Sequence, residues 1–471
     1  MIEFDLAVIG AGPGGYVAAI RGVQKGAKVC VIEEDKVGGT CLNRGCIPTK
    51  ALCSTAHTLE RIRHAAAHGI LVEEPRIDYA LVAERKDKIV ATLVGGIEQL
   101  LKGNGIEVFR GRGSIEGPGR VKIRCKDVVG HIRAKQIILA TGSVSARPKA
   151  LPIDGKNILT SDEILAIKEL PKSLLIIGGG YIGCEFASIF GTLGTEVTLV
   201  EQLPQLLSYT DRQAVRELEK AFRESGVKVH TGTSVESLEV GDGAVSARLS
   251  SGETLNVEKA LVAVGRVPNS AGLGLEEAGI KVEKGAVVVD ERLRTSLENV
   301  YAIGDVTGGI QLAHVASYQA AVAVDNALGG DVRVDYSTVP SVIFTLPEIA
   351  QVGLTEEQCK EKGLAYRAGR FAYQASGKAL CDGEPRGSVK VLAAEADGRI
   401  LGAVIAGNEA SSLISEISTA MHNGLSVAEL AHAIHAHPTL PEMIMEAAED
   451  CEGVAVHKVS RKTRERASSK N

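Results

Sequence analysis

The chain has 471 residues and a formal net charge of −5, from 53 Lys and Arg residues against 58 Asp and Glu residues. Its near-neutral charge and its aromatic content of only 3%, without tryptophan, argue against a polyanion binder or a base-stacking nucleic-acid platform. The 45% hydrophobic and 24% charged residues are typical of a soluble globular protein, and the length predicts about three domains.

The chain contains no targeting or membrane-spanning pattern. No uninterrupted apolar run is long enough to predict a membrane span. A strand-like segment, residues 2–9, begins almost at once, so we expect no signal peptide and a cytoplasmic protein. Nine scattered cysteines do not resemble a secreted disulfide framework, and in a reducing compartment a close cysteine pair is more readily explained by catalysis than by structure.

The first recognisable unit reads FDLAVIGAGPGG, then the helix-like YVAAIRGVQKG, then the apolar run KVCVIEE. Gly10 permits a tight turn, Gly12 lets the backbone approach a pyrophosphate, and Gly15 lets the helix pack closely on the strand. The helix N-terminus binds phosphate, and Glu33, which closes the second run, accepts hydrogen bonds from ribose hydroxyls. This unit therefore predicts a dinucleotide site.

A cysteine pair follows in GGTCLNRGCIPTK, residues 38–50. The four residues between Cys41 and Cys46 are not zinc-knuckle spacing, and no nearby Cys/His pair supplies the further ligands that zinc needs. Pro48 suits the first turn of a helix whose positive end stabilises a Cys46 thiolate. Lys50 lies one turn further on the same face, with Glu185 as a candidate partner. We therefore predict a redox-active pair and no metal site.

We expect the other seven cysteines to be inert thiols of the core. They are Cys30, Cys53, Cys125, Cys184, Cys359, Cys381 and Cys451.

A second copy of the nucleotide unit, SLLIIGGGYIG followed by CEFASIFGTLG and TEVTLVE, aligns with the first without a gap. Its corresponding residues are Gly178, Gly180, Gly183 and Glu201. Two dinucleotide sites most simply hold two different dinucleotides, a tightly bound flavin and an exchanging nicotinamide. The carboxylate of Glu201 favours NAD, because it repels the 2′-phosphate of NADP.

Strand-to-glycine endings follow the nucleotide units at residues 136–142 and 259–265, and a third, residues 299–305, ends in Asp305. An aspartate in this position is able to hydrogen-bond the ribityl chain of FAD. By itself, capping of the next helix explains Asp305 equally well.

The segment HAHPTLPE near the end supplies a candidate base. His437 precedes Pro438 and is therefore extended, and Glu442 is placed to accept from one ring nitrogen and leave the other as base. Thiol–disulfide exchange needs a base that generates the attacking thiolate. Alone, the segment is more typical of a structural loop; the cysteine pair favours the catalytic interpretation.

Across nearly its whole length the sequence resembles the class I pyridine-nucleotide:disulfide oxidoreductases. The matching motifs are GAGPGGYVAAIR, GGTCLNxGCIPxK, ATGS, GGGYIGCE, VGRxPN, YAIGD and HAHPTLxE. Within that family they are most similar to those of members that oxidise dihydrolipoyl groups in 2-oxoacid dehydrogenase and glycine cleavage systems. The resemblance implies an oxidoreductase with FAD and NAD⁺ as cofactors. Its expected partners are a second copy of the chain and a lipoylated acyltransferase or glycine-cleavage lipoyl carrier protein, with neither nucleic acid nor membrane.

The implied fold is α/β, with two Rossmann-like dinucleotide-binding domains, a central region and an α+β C-terminal dimerisation domain. The implied boundaries are 1–147 for the FAD domain with the redox disulfide, 148–269 for the NAD domain, 270–340 for the central domain and 341–471 for the interface domain. The resemblance also implies a homodimer in which His437 and Glu442 of one subunit serve the disulfide of the other.

Residue by residue, the resemblance makes Cys41 the exchange thiol and Cys46 the thiol facing the flavin, with Lys50 contacting the flavin and Glu185 supporting it. FAD positions also fall on Gly10, Gly12, Gly15, Glu33, Gly113, Thr141, Gly142, Asp305 and Ala313. NAD positions fall on Gly178, Gly180, Gly183, Glu201, Val235 and Gly265.

Some features depart from the family pattern or leave alternatives open. Arg44 adds charge near the cysteine pair and is able to alter the substrate channel. The basic tail, residues 457–471, is either a solvated disordered segment or a docking element. Glutathione-type reductases are disfavoured by Glu201, and mercuric and large thioredoxin reductases by the isolated Cys451. A binding subunit without turnover is disfavoured by the intact cysteine pair and the His437–Glu442 pair.

Overall fold

The computed structural model describes residues 2–241 and 243–459. Contacts divide this part of the chain into two units. The first contains residues 2–52, 78–169 and 262–335, and the second contains residues 53–77, 170–261 and 336–459. Within the described ranges, no helix combines the length and the apolar character that crossing a membrane requires.

The strands are numbered along the chain. They are β1 (Ile2–Ile9), β2 (Val29–Glu33), β3 (Glu107–Arg110), β4 (Arg112–Gly117), β5 (Arg120–Cys125), β6 (Val128–Leu139), β7 (Ser143–Ser145), β8 (Ile158–Leu159), β9 (Ser173–Ile177), β10 (Glu196–Val200), β11 (Lys228–His230), β12 (Val235–Gly241), β13 (Ala244–Leu249), β14 (Thr254–Val257), β15 (Lys259–Val262), β16 (Arg266–Pro268), β17 (Val282–Glu283), β18 (Ala286–Val287), β19 (Val300–Ala302), β20 (Ser341–Ile343), β21 (Ile349–Gly353), β22 (Tyr366–Ala372), β23 (Gly387–Ala394) and β24 (Ile400–Gly407).

The helices are numbered in the same way. They are α1 (Pro13–Gln24), α2 (Gly39–Arg44), α3 (Cys46–Arg63), α4 (Tyr79–Gly103), α5 (Ser161–Ile164), α6 (Tyr181–Thr192), α7 (Arg212–Glu224), α8 (Ala313–Ala327), α9 (Glu356–Glu361), α10 (Gly377–Cys381), α11 (Ala410–His422), α12 (Val427–His432) and α13 (Glu442–Glu452), with 3₁₀ turns at Ala65–His68, Gly304–Thr307 and Tyr373–Ala375.

The first unit is built on a sheet in the order β3-β2-β1-β6-β5-β4, with β19 also paired to β6. The strands β3, β2, β1, β6 and β19 are parallel, whereas β5 and β4 form an antiparallel extension. Successive residues of β1 enter different cores: Leu6 and Val8 pack with residues of α1 and α8, and Ala7 and Ile9 pack in the opposite core. Burial of both faces explains why β1 is almost continuously apolar.

The second unit contains a sheet with the order β11-β10-β9-β15, in which β10 pairs in parallel with both β9 and β11. Helix α6 begins and ends 168 residues after α1, so the predicted duplication of the strand–glycine turn–helix–strand unit is confirmed. A small antiparallel sheet, β12-β13-β14, follows.

The C-terminal part of the second unit is an antiparallel sheet in the order β20-β21-β24-β23-β22. Val391 and Ile405 of this sheet pack in one core with Ile417 of α11 and Ile444 of α13. Helix α13 approaches closely, because a Cβ on Gly369 of β22 would lie 1.9 Å from the Ala447 carbonyl oxygen. The expected fold class, α/β with a C-terminal α+β domain, is confirmed, and the four-part boundaries stay a prediction.

Candidate functional site

The first glycine turn has the geometry that its sequence predicts. Gly10 follows β1 with a φ of +101°, which glycine adopts readily, and its N–H donates to the Ile32 carbonyl over 2.8 Å. A Cβ on Gly15 would lie 1.9 Å from the Gly10 carbonyl oxygen, so only glycine lets α1 approach this closely. Gly12 is different, because its Cβ would meet only the Gly39 Cα, at 3.9 Å. The chain leaves space above Gly12, and this space fits the backbone approach of a dinucleotide.

The second glycine turn reproduces the first. Gly178 has a φ of +109°, and a Cβ on Gly183 would lie 1.9 Å from its carbonyl oxygen. Gly180 is extended, with φ −74° and ψ −178°, and no atom lies within 4 Å of its hypothetical Cβ. The protein itself does not require glycine at position 180, and the open space there fits a ligand that approaches the backbone.

The two acids that close the units occupy equivalent positions. Glu33 accepts from the N–H groups of Ala11 and Asp35 over 2.7 and 2.8 Å, and Glu201 accepts from those of Gly179 and Leu203 over 2.6 and 2.7 Å. Burial raises the pKa of Glu33, while the two backbone hydrogen bonds lower it. Each carboxylate has further acceptor capacity for ribose hydroxyls.

Thr141 and Asp305 lie at the ends of β6 and β19. The Thr141 hydroxyl donates to the Asn269 carbonyl over 2.7 Å, and the Ser143 hydroxyl donates to Asp305 Oδ2 over 2.5 Å. Arg266 Nε in turn donates to Ser143 Oγ over 2.7 Å. Sequence reasoning did not single out Ser143, although the ATGS motif contains it.

The remaining predicted nucleotide positions also lie at element ends or in turns of the fold. Gly113 is in β4, and a Cβ there would lie 2.9 Å from Ile9 Cγ2. Ala313 begins α8, Val235 begins β12, and Gly142 and Gly265 directly precede β7 and β16. In the first unit, the residues that would hold FAD thus have the required backbone groups, acid and space.

The cysteine pair spans the short helix α2 and the start of the long helix α3. Cys41 lies in α2, Cys46 is the first residue of α3, and both are thiols in this structure. The hydrogen bond with Cys46 raises the pKa of Cys41 well above its usual value, and burial adds to this, whereas the charge of Lys50 opposes it. The two sulfur atoms are therefore close enough to interact directly, as a redox pair requires. Their assignment as such a pair stays a prediction.

Asn43 and Arg44 anchor the loop that carries the cysteines. Asn43 Nδ2 donates to the carbonyls of Val37 and Gly39 over 3.0 and 2.9 Å, and Arg44 forms an ion pair with Asp35. The charge that Arg44 adds near the cysteines is therefore paired with a carboxylate. Sequence reasoning missed Asn43. The available signal was a polar side chain within the tight CLNRGC loop.

Glu185 contacts the loop that precedes β21. Its Oε1 accepts from the Phe344 N–H over 2.9 Å, and the Phe344 carbonyl accepts from the Cys53 thiol at 3.3 Å. Lys50 belongs to the first unit and Glu185 to the second, and their pairing stays a prediction.

The predicted hydrogen bond between His437 and Glu442 is present. His437 Nδ1 lies 2.9 Å from Glu442 Oε1, and the Thr439 N–H donates to Glu442 Oε2 over 2.8 Å. Burial raises the pKa of Glu442, but the hydrogen bonds from Thr439 and His437 outweigh it and lower the pKa overall. The carboxylate therefore stays charged and holds Nδ1, which leaves Nε2 of an 82% exposed imidazole to act as base.

The expectation for the remaining cysteines is correct for five and wrong for two. Cys30, Cys53, Cys184, Cys359 and Cys451 are buried. Cys125 and Cys381 are exposed, because Cys125 lies at the turn between β5 and β6 and Cys381 ends the short helix α10.

The predicted basic tail is described only at its start. His457 Nδ1 contacts Glu446 over 2.5 Å and Lys458 Nζ contacts Asp450 over 2.6 Å. The rest of the tail, residues 460–471, lies outside the described residues.

The chain is similar to known proteins over nearly its whole length. Residues 4–320 match the family described as pyridine nucleotide-disulphide oxidoreductase, and residues 339–448 match its dimerisation domain. Dihydrolipoyl dehydrogenase of Chlamydia muridarum is 44% identical over 453 residues, covering 94% of this chain and 96% of its own. Its counterpart from Staphylococcus aureus is 41% identical, covering 97% and 98%. The crystal structure of LpdA from Mycobacterium tuberculosis has a TM-score of 0.89 at 30% identity, covering 95% of this chain and 99% of its own.

Proposed function

This chain belongs to the pyridine nucleotide-disulphide oxidoreductase family, and from that premise we propose that it oxidises protein-bound dihydrolipoyl groups with NAD⁺. Enzymes of this kind use FAD and NAD(H). When bound at the first glycine turn and Glu33, FAD would supply a two-electron carrier between the cysteine dithiol and NAD⁺. The observation that carries the proposal is the hydrogen bond between Cys41, in α2, and Cys46, at the start of α3.

The thiol chemistry balances within the chain. A dihydrolipoyl thiolate attacks Cys41 Sγ of the oxidised Cys41–Cys46 pair, so that a mixed disulfide forms and Cys46 leaves as a thiolate. The second lipoyl thiol then displaces Cys41 and closes the oxidised lipoyl ring. The lipoyl group loses two electrons and two protons, and the cysteine pair gains the two electrons. The helix N-terminus and the charge of Lys50 stabilise the thiolate form of the pair.

His437 accepts the proton of the first attacking lipoyl thiol, releases it to solvent, and then accepts the proton of the second. Its Nδ1 is held by Glu442, so that Nε2 is the available nitrogen, and the carboxylate stabilises the imidazolium that results. Residues 339–448 are the dimerisation domain of the family, which indicates a homodimer. We place His437 and Glu442 of each subunit next to the cysteine pair of the other.

Glu33 and the first glycine turn would bind the adenosine and pyrophosphate of FAD, and Glu201 and the second turn those of NAD⁺. A carboxylate at position 201 disfavours a 2′-phosphate and thereby an NADP-linked disulfide reductase. The lipoyl substrate is presented by a lipoylated acyltransferase or by a glycine-cleavage carrier protein, in the cytoplasm.

The test is NADH formation from dihydrolipoamide and NAD⁺ by the holoenzyme. Cys46→Ser should abolish turnover and retain the yellow bound FAD. Cys125→Ser, which replaces an exposed thiol away from the predicted centre, should leave turnover unchanged. Undiminished turnover by Cys46→Ser would overturn the proposal, as would a wild-type enzyme with bound FAD and no activity.

A further inference from the structure

The segment between Glu201 and α7, residues 202–211, lies against the second glycine turn, and we call it the nucleotide loop. The Leu203 N–H donates to Glu201 Oε1 over 2.7 Å, and the Leu207 N–H donates to the Gly179 carbonyl over 2.9 Å. The loop thus contacts both the acid and the turn that would bind NAD⁺. Its position sets the geometry of the nucleotide site.

The loop contains a residue in an unfavourable backbone conformation. Leu207 is buried and has a φ of +49°, in the left-handed region that a leucine adopts only when its surroundings enforce it. A buried leucine contributes to holding this conformation, but the ends of the loop must also be fixed.

The C-terminal end of the loop is fixed by a buried ion pair. Lys390 Nζ of β23 contacts both carboxylate oxygens of Asp211, over 2.8 and 2.7 Å, and the two side chains are only 3% and 2% exposed. Asp211 also caps α7 by accepting from the Gln213 N–H over 2.9 Å. A second contact, from Gln351 Nε2 to the Tyr209 carbonyl over 3.1 Å, attaches the loop to β21.

Lys390 is part of a balanced group of charges. Its Nζ also contacts Glu356 Oε2 over 2.7 Å, and Arg370 contacts the same oxygen over 2.6 Å. Two cations therefore face two carboxylates. Without Lys390, Asp211 would be a buried charge with no counter-ion, a situation that proteins avoid by local rearrangement. Residues 202–211 contain neither helix nor strand, so we expect the rearrangement to fall in the nucleotide loop.

We infer that Lys390 is a positioning residue for NAD⁺. It holds Asp211, Asp211 fixes the nucleotide loop, and the loop fixes Glu201 and the glycine turn. The inference rests on the proposed function, in which Glu201 binds the ribose of NAD⁺. Because Lys390 lies within the dimerisation domain, residues 339–448, this domain contributes to nucleotide affinity as well as to subunit contact.

The experiment measures the Kd of NADH by fluorescence titration of the holoenzyme, the KM of dihydrolipoamide, and hydrogen exchange of residues 201–211. For Lys390→Met we expect the Kd to rise about tenfold, within the range of coupled sites, with faster exchange in the loop. FAD content and the KM of dihydrolipoamide should be unchanged. The double variant Lys390→Met with Asp211→Asn removes both charges but keeps the helix cap, and should recover most of the affinity.

Lys86→Met is the matched control, because Lys86 is equally buried, at 5% exposure, and lies in α4 of the first unit. It should leave the Kd of NADH unchanged. If Lys390→Met does not fold, Asp211→Asn alone leaves Lys390 paired with Glu356 and should still raise the Kd about fivefold, at the low end of coupling between sites. The inference would be overturned if the Lys390 and Asp211 single variants bound NADH with wild-type affinity. It would also be overturned if the Kd of NADH and the KM of dihydrolipoamide rose by the same factor. Failure of the wild-type enzyme to bind NADH would instead overturn the proposed function.

Discussion

Replacement of Gly180 by alanine tests whether glycine at this position is required for ligand binding rather than for folding. The φ of −74° suits any residue, and no atom lies within 4 Å of the new methyl group. The chain therefore loses no packing. The lower entropy of its unfolded state contributes about 0.4–1 kcal/mol, which offsets the poorer capping of α6 by alanine at this N-cap position. Under the proposed function, the methyl group would nevertheless occupy the space where the pyrophosphate approaches the backbone. A clash of this size costs about 1–3 kcal/mol, so the Kd of NADH should rise about 5- to 150-fold.

The assay compares the Kd of NADH with the thermal midpoint for three variants. Gly180→Ala should weaken binding without lowering the midpoint. Gly183→Ala should lower both, because its methyl group would lie 1.9 Å from the Gly178 carbonyl oxygen and α6 must move. Gly95→Ala, in α4 with no neighbouring atom within 4 Å, should leave binding unchanged. Unaltered NADH binding by Gly180→Ala would refute the role assigned to the second glycine turn.

Three further results are expected. Glu442→Gln keeps an acceptor for His437 but removes the charge that stabilises the imidazolium. Loss of a charge-assisted hydrogen bond worth about 1.5–3 kcal/mol predicts a roughly 10- to 150-fold lower kcat for dihydrolipoamide. Dye reduction driven by NADH should persist. A normal kcat would contradict the role of Glu442 as the partner of His437. Burial raises the pKa of Cys30 to about 12, so at pH 8 only about one Cys30 thiol in ten thousand is ionised. Alkylation of the native protein, followed by mass spectrometry, should therefore label the exposed Cys125 and spare Cys30. Equal labelling of the two cysteines would show that the core opens. Since burial raises the pKa of Glu33, this group gains its proton at a higher pH than an ordinary glutamate. FAD retention, measured by ultrafiltration, should fall as the pH is lowered from 7 towards 5, and constant retention would show that the charged form of Glu33 is not needed.

The two nucleotide units were predictable because their determinants are local. Each glycine turn, its helix and its closing acid lie within about 30 residues, a typical span for a βαβ unit, and the same steric demands recur at Gly15 and Gly183. The hydrogen bond between His437 and Glu442 was predictable for the same reason, since only four residues, two of them prolines, separate them.

Contacts between distant segments could not be predicted in this way. Lys390 and Asp211 are 179 residues apart, and nothing in either segment identifies the other as its partner. The exposure of Cys125 depends on its place at the turn between β5 and β6, which the residue type does not indicate. The sequence likewise did not indicate which group the Arg44 side chain contacts. It predicted added charge near the cysteine pair, but in the structure Arg44 pairs with Asp35.

Differential alkylation of the holoenzyme tests the central claim most directly, since it follows the two sulfur atoms themselves. The oxidised enzyme is treated anaerobically with one equivalent of dihydrolipoamide, unfolded in alkylating reagent and mapped by mass spectrometry. Cys41 and Cys46 should become labelled together, the other seven cysteines should not change, and added NAD⁺ should reverse the effect. If labelling of Cys41 and Cys46 did not depend on dihydrolipoamide, the electrons of dihydrolipoamide would not pass through this cysteine pair.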